Sequence, residues 1–384
     1  MTGHVLHLAT THTPRDPRVV LKEAQTMADA GLDVAVVTPA DADGQTGTVP
    51  TYAVARPTGG LARMTTTARD VVRRAVSLAR PGTVFHLHDA DLLLLGLALA
   101  ARGRRVVYDA HEDTPRQMLH QPWIPRPLRR PVSLGYSGLE AAAGRLFDGV
   151  ITTVPTVQAR YPAAKAVMVR NFPIVGELAP PASAPYAERG PDVVYVGAIT
   201  PARGLAEMLA AQARLPASLG ATLHLAGPFH PPELAGRARA ADGVVVHGRL
   251  DRPEVAALLA RSRVGVSVLH PTASYLDAYP TKLFEYMAAG LPVVVSDSPM
   301  IRDFVEPAGC GLLVDPLDPA AIADAVGWLL SHPDQAGAMG ERGRAAVLDG
   351  YTWAREGRRL LAFYAALLAG DRRPGEAARR AVPC

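Results

Sequence analysis

Residues Pro280 to Asp297 read PTKLFEYMAAGLPVVVSD. A lysine, a carboxylate three residues on, a short helical stretch, a Gly-Leu-Pro break and an unbroken apolar run (Leu291 to Val295) follow one another. A spacing of three puts Lys282 and Glu285 on one face of a helix. A continuous apolar run marks a strand covered on both sides, as in a parallel sheet. Ligands of open α/β sheets bind where strands end and helices begin. A cation beside a carboxylate suits a ligand that is anionic and rich in hydroxyls, the first for phosphate and the second for neighbouring hydroxyls.

The same alternation extends to both sides. Upstream come strand-like Val193–Val196, a helix over Leu205–Arg214, strand-like Thr222–Ala226 and Val244–His247, a helix over Pro253–Ala260, and strand-like Val264–Leu269. Downstream, Asp318–Leu330 and the amphipathic Thr352–Leu368 read as helices. The first half repeats the order: Val5–Ala9, a helix carrying Val19, Val20, Leu21, Ala24 and Met27, then Val34–Thr38, a helix near Thr66–Leu78, Thr83–Leu87, a buried helix Leu92–Ala101, Val106–Asp109 and Val150–Thr153. Such βαβα order implies parallel sheets with helices on both faces. Asn171 to Pro191 holds five prolines and no periodicity, as a linker would. The expected architecture is α/β, with two Rossmann-like, doubly wound domains, residues 1–170 and 192–351, and a cleft between them. Residues 352–370 are expected to pack back on the first domain, and 371–384 to be disordered. Neither first turn carries GxGxxG, which argues against a nicotinamide dinucleotide.

The chain's 384 residues, 48% of them hydrophobic, suffice for two cores. Its longest apolar run, about ten residues, falls short of the roughly 20 that span a bilayer. The chain opens directly on a strand-like run, without a basic-then-apolar leader, and has two cysteines, Cys310 and Cys384. A cytoplasmic location follows as the expectation, and a disulfide scaffold or a cysteine-based zinc site is excluded. The net charge of +4 is uneven. Residues 1–170 hold 20 basic and 14 acidic side chains, and residues 171–384 hold 20 and 22, giving +6 and −2. Arginines cluster at Arg69, Arg73, Arg74 and Arg80, at Arg102, Arg104 and Arg105, and at Arg126, Arg129 and Arg130. These clusters form either a solvated face or a patch for a polyanion, an anionic acceptor or a membrane surface. No nucleic-acid motif accompanies them. Lysines number only three, Lys22, Lys165 and Lys282, which singles out Lys282.

The first turn of the second domain reads VVYVGAITPARGLAEML. Gly197 allows close backbone approach, the helix after Gly204 offers a dipole end, and Arg203 adds a fork of donors. Together they form a cradle for a diphosphate. In the first domain, VVYDAHEDTPRQM places His111 at a strand end, FHLHDADLL places His86 and His88 on one strand face beside Asp89, and TTHTPRDPRV offers His12, Arg15, Asp16 and Arg18 before a helix.

Taken together, the Gly197–Gly204 turn and PTKLFEYMAAG resemble the retaining glycosyltransferases of family 4, group 1 type, which have the GT-B fold. That family's turn reads G-R-L-x-x-x-K-G. Here Arg203 keeps the second cation, Ala198 stands in place of the first, and Lys282 is the natural substitute. The family's E-x7-E motif maps onto Asp277 and Glu285. The resemblance implies that Glu285 binds the nucleotide's ribose, flanked by Thr281 and Leu283, and that Asp277 faces the donor sugar. It also implies that His111 touches that sugar's 6-hydroxyl and that backbone near His247 and Gly248 reads the base. His12, Arg15, Asp16, Arg18 and His88 would line the acceptor side. Asp277 is one methylene shorter than the family's acid, and Pro280 has no amide to donate.

The implied activity is sugar transfer from a nucleoside diphosphate sugar, UDP before GDP, to a saccharide, lipid-linked or small natural-product acceptor, with retention and without a metal ion or other cofactor. Peripheral membrane contact is a possible accompaniment, and no nucleic-acid partner is implied. Two alternatives come from the residues themselves: a metal-dependent hydrolase built on His86, His88, Asp89 and His111, and a basic protein that binds nucleic acid or a membrane surface.

Overall fold

A computed structural model describes residues 2–382 except 120, 122–123, 179–184, 273–274 and 276–278, and of Leu61 the backbone alone. The chain divides into two units, Met1–Asn171 with Ala354–Cys384, and Phe172–Trp353.

The first unit is built on β1 (His4–Leu8), β2 (Asp33–Pro39), β3 (Gly44–Thr46), β4 (Val49–Val54), β5 (Val84–Leu87), β6 (Arg105–Ala110), β7 (Gly149–Thr152) and β8 (Ala166–Met168). They lie in the order β3-β4-β2-β1-β5-β6-β7-β8, all parallel except the β3–β4 hairpin at the edge. The second unit carries β9 (Asp192–Val196), β10 (Thr222–Ala226), β11 (Val244–Gly248), β12 (Val264–Ser267), β13 (Val293–Ser296) and β14 (Gly311–Val314) in the order β11-β10-β9-β12-β13-β14, entirely parallel. In each sheet the first strand of the unit is central and the chain runs outward in both directions. Strand ends flanking that reversal point are where an open α/β sheet presents its ligand side chains.

Two-sided burial explains the apolar runs. In β9, Val193 and Tyr195 enter the core on one face of the sheet, and Val194 enters the core on the other. β13 divides likewise, Val294 to one side and Val293 and Val295 to the other. Phe172 and Leu178, from the stretch read as linker, are buried in the second unit's core.

The structure departs from the sequence reading in several places. β3, β4, β8, β14 and the helix Pro333–Gly350 were not anticipated. The helix expected at Val19–Met27 begins at Pro17 and is wound with i→i+5 hydrogen bonds through Ala24, Leu21 N bonding Asp16 O at 3.1 Å, before continuing as an α-helix over Gln25–Asp29. The helix expected to be buried, Leu93–Ala100, has an open side, with Leu94 64% exposed.

The C-terminal helix Trp353–Leu368 packs in the first unit from Ala354 onward. Phe363 fills the space above Gly149, where a Cβ would lie 2.2 Å from its ring. Glu356 accepts from Arg170 N and pairs with Arg359, both buried. The final residues, expected to be disordered, instead form the helix Pro374–Ala381 against β8. Gly375 lies so near that strand that a Cβ would meet Ala166 O at 2.4 Å, and Arg379 donates to the carbonyls of Ala163 and Ala166. The helix thereby covers an edge strand that would otherwise be open. Gly375→Val is expected to lower stability by about 1–3 kcal/mol, the usual cost of overpacking. The check is the midpoint of urea unfolding, and an unchanged midpoint would mean that the tail does not dock.

Candidate functional site

In the second unit the side chains converge on the turn after β9. Gly197 has φ +124°, and a Cβ there would lie 3.3 Å from Lys282 Nζ and 3.7 Å from Arg203 Nη1. Both cations therefore face one glycine. Gly204, φ +75°, is required for another reason: a Cβ would stand 2.3 Å from Val268 O. That close contact seats the start of the helix Leu205–Gln212 on the strand end after β12. Arg203 donates to Ala198 O at 3.3 Å and to Tyr275 Oη at 3.2 Å, which holds the guanidinium over the turn.

Lys282 comes from the helix Thr281–Ala288. Its ammonium is buried, has no hydrogen-bond partner among the described residues, and sits 3.7 Å from the centre of the Tyr195 ring. The ring face attracts the charge, but three donors go unmet. Burial, then the neighbouring charge of Arg203, holds the amine well below its usual pKa, with Glu285 opposing both. A buried cation without a partner is costly unless an anion arrives.

Glu285 does not pair with Lys282. Its Oε1 accepts from Arg252 Nη1 at 2.9 Å, and Arg252 also makes a two-bond fork to Glu177 at 2.9 and 3.0 Å. Arg252 was missed in the sequence because its partners lie 33 and 75 residues away. The only local signal was the DRPE cap of its helix, Asp251 and Glu254 forming a capping box. Leu283 is wholly buried and its amide bonds Pro280 O, so its side chain belongs to the core and not to a ligand surface. Thr281, beside it, is partly exposed. The His247 ring bonds His224 at 2.9 Å and stacks on it, while Gly248, φ +73°, accepts from Gly227 N. Asp277 lies outside the described residues.

In the first unit, Asp109 at the end of β6 organises the site, and sequence reading overlooked it as part of an apolar strand. Arg18 grips it with Nε and Nη2 at 3.1 and 3.0 Å, and also bonds Val169 O and pairs with Glu23 at 2.9 Å. Burial opposes ionisation of Asp109, but Arg18 and then His111 hold its carboxyl well below the usual range. His111 Nε2 reaches Asp109 Oδ2 at 2.8 Å and His88 Nδ1 at 3.2 Å; His88 Nε2 meets His7 Nδ1 at 2.7 Å. An ionised carboxylate only accepts, so Asp109 places the proton of neutral His111 on Nε2 and leaves Nδ1 as an acceptor.

Two expectations for the acceptor side are corrected here. Arg18 is buried in the Asp109 pair and does not line an acceptor surface. His88 is buried beneath His111, and burial pushes its pKa down to about 4 despite Asp109. The remaining residues stay near the surface. Asp16 caps the following helix through the amides of Arg18 and Val19, its carboxylate bonds His12 Nδ1 at 2.8 Å, and Arg15 is exposed. His12 stands 5.2 Å, ring to ring, from His111. Beside this loop opens a cavity of about 360 Å3, lined by Thr10, His12, Pro39, Arg56, Gly59 and Arg63 among others.

The set proposed for a hydrolase does not assemble. His86 and His88 do share a strand face, stacked at 4.3 Å. Asp89 turns away to accept from Thr10 N and Thr11 Oγ1. His86 faces Tyr364 of the C-terminal helix at 2.9 Å and does not join His111. Among the described residues, the groups close enough to share an ion are His7, Glu23, His86 and His88, and His88, Asp109 and His111. In the first, Glu23 is already held by Arg18; in the second, Asp109 is.

Two doubly wound α/β units, one with a basic, glycine-lined turn at the end of its central strand, present a site where open sheets of this class bind their ligands. Residues 17–169 match Glycosyltransferase Family 4, and residues 190–332 match Glycosyl transferases group 1. The chain belongs to the family 4, group 1 glycosyltransferases. It is 27% identical over 177 residues to an MMP α-(1→4)-mannosyltransferase of Mycolicibacterium hassiacum, covering 45% of this chain and 42% of that one. It is 41% identical over 93 residues to a GDP-mannose-dependent α-(1-6)-phosphatidylinositol monomannoside mannosyltransferase of Mycolicibacterium smegmatis, covering 24% and 23%. The chain thus matches less than half the length of these curated relatives. The GT-B fold is shared with sucrose-phosphate synthase of Thermosynechococcus elongatus, at TM-score 0.71 and 20% identity over 96% of this chain and 100% of that one. It is shared equally with Anabaena HepE, solved with UDP-glucose, at TM-score 0.71 and 15% identity over 94% and 99%.

The His12–Asp16 pair makes a prediction about pH. Burial opposes the charge on His12, but the bond to Asp16 and the charge of Asp89 raise its pKa from 6.5 to about 9. A raised folded-state value means the contribution is full below pH 6.5 and fades as pH climbs through 9. His12→Gln is expected to lose about 1–2 kcal/mol of stability at pH 6 and almost nothing beyond pH 9, after allowing for partial exposure. Thermal melts of both proteins across that range check it, and parallel curves would sink the assignment.

Proposed function

We propose that the protein transfers a sugar from a nucleoside diphosphate sugar to an acceptor hydroxyl with retention at the anomeric carbon. The observation that carries this is the buried ammonium of Lys282, without a hydrogen-bond partner among the described residues, beside Arg203 at the Gly197 turn. A diphosphate supplies what that arrangement lacks: acceptor oxygens for three unmet donors and negative charge for two adjacent cations. As the bond from C1 to the phosphate oxygen breaks, its electron pair moves onto the leaving diphosphate. Lys282 and Arg203 stabilise that charge in a site already organised to receive it. The acceptor oxygen bonds C1 on the same face, and its proton passes to the departing phosphate. In this reading the two side chains do the work of a divalent ion, so the transfer needs no metal.

Glu285, held by Arg252, accepts from the ribose hydroxyls, and the backbone at His247 and Gly248 meets the base. Asp277 and His111 keep their proposed places against the donor sugar. The cavity beside His12, Arg15 and Asp16 receives the acceptor. UDP is the proposed nucleotide, supported by the UDP-glucose bound to HepE. The relative described as GDP-mannose-dependent makes GDP the one to test against it.

Lys282→Ala and Arg203→Ala are each expected to cost about 2–4 kcal/mol of transition-state stabilisation. A loss under about tenfold in kcat/KM for both, some 1.4 kcal/mol, would remove them from the site. Glu285→Gln is expected to raise the donor KM, and unchanged nucleotide affinity by calorimetry would end its ribose role. A thermal-shift and hydrolysis screen across UDP-, GDP- and dTDP-sugars identifies the donor. Its rate is expected to be indifferent to EDTA or added Mn2+, and strict dependence on an added ion would overturn metal-free leaving-group stabilisation.

A further inference from the structure

The three arginine clusters of the first unit differ in their partners. Arg74 and Arg80 pair with Asp43 and Asp33, and Arg69 and Arg73 share Asp70 at 3.7 Å, so three carboxylates offset four arginines there. Arg102 and Arg104 are exposed and, among the described residues, have no carboxylate within ion-pair distance, but no exposed large apolar side chain adjoins them in sequence. Arg126 and Arg130 are exposed and have no carboxylate within ion-pair distance among the described residues. They open the helix Arg129–Leu146, which follows the turn Arg126–Leu128.

That helix is two-sided. Tyr136, Glu140, Ala143 and Gly144 are buried, whereas Arg130, Leu134, Gly138, Ala141 and Arg145, at spacings of four, four, three and four, share the opposite, exposed face. Leu134 is 72% exposed and Leu128, just before the helix, 53%. The helix's one acid, Glu140, points inward and pairs with Arg160 at 2.6 Å. The outward face thus carries arginines and leucines with no negative charge. No helix among the described residues is long and apolar enough to cross a membrane.

We infer that the exposed face of Arg126–Arg145 docks on an anionic lipid surface, its arginines at the headgroups and Leu128 and Leu134 in the acyl boundary. Charge selects a polyanion of some kind, and the leucines decide which. A nucleic acid or acidic polysaccharide gains nothing from exposed aliphatic side chains, whereas a bilayer interface removes them from water. The inference is independent of the transfer chemistry proposed above, since none of these residues belongs to the donor or acceptor sites.

The test is co-sedimentation of the full chain with phosphatidylcholine vesicles, with and without phosphatidylglycerol, over a salt series. Binding is expected only with the anionic lipid, weakening as salt rises. Each arginine near such a surface contributes about 1 kcal/mol, roughly a fivefold factor, so Arg126→Gln with Arg130→Gln should weaken binding about 25-fold. Leu128→Ser with Leu134→Ser leaves the charge untouched and should also weaken it severalfold, while melting temperature and donor-nucleotide affinity stay as in the parent. No binding to anionic vesicles overturns the proposal. So does undiminished binding by the serine pair, which would make the face a purely electrostatic polyanion site.

Discussion

A buried ammonium without a hydrogen-bond partner among the described residues is the constraint on which the second unit turns. Lys282 packs close over Gly197, where a side chain would crowd it, and it is held there by the Tyr195 ring with the charge of Arg203 beside it. Gly204 brings the helix carrying the turn against Val268, and Tyr286, packed over Gly265, donates its position to the same strand end by accepting from Val196 N at 2.8 Å. Small residues and a tyrosine framework therefore fix two cations at a separation that only an anion makes favourable.

The first unit solves a different problem with the same means. Its polar core is anchored by the Arg18–Asp109 fork, which joins the helix after β1 to the end of β6, with Val169 beyond β8 as a third point. Around it the histidines are ordered by hydrogen bonds from the partly exposed His111 inward to His7. The i→i+5 winding of Pro17–Ala24 sets Arg18, Lys22 and Glu23 inward together, where Lys22 meets Asn171 and Glu23 meets Arg18. Arginine suits the central place because its charge persists when buried and its fork matches a carboxylate.

Much of the architecture was legible in the chain. Period-free apolar runs located β1, β2, β5, β6, β7, β9, β10, β12 and β13 to within a few residues, because burial on both faces leaves the same trace wherever it occurs. The edge strand β11, with Val245 exposed, was located by its three consecutive valines alone. The strands at or near the sheet edges, β3, β4, β8 and β14, were missed: β3 is polar, β4 is broken by Pro50 and partly polar, and the apolar runs of β8 and β14 are only three or four residues long. The tail helix Pro374–Ala381 was hidden for a related reason, its anchoring depending on one glycine and two arginine-to-carbonyl bonds rather than on an apolar face.

Sequence alone determined the α/β class, the glycine-and-cation turn, the Lys282 helix and the basic character of the first half, since each depends on neighbours along the chain. Only the tertiary structure decided what those residues meet. It paired Glu285 with Arg252 instead of Lys282, buried Arg18 against Asp109 and His88 beneath His111, and left Arg126 and Arg130, among the described residues, without the carboxylates that pair with Arg74 and Arg80. Ion pairing and burial are set by distances between segments tens to hundreds of residues apart, and nothing in local spacing encodes those distances.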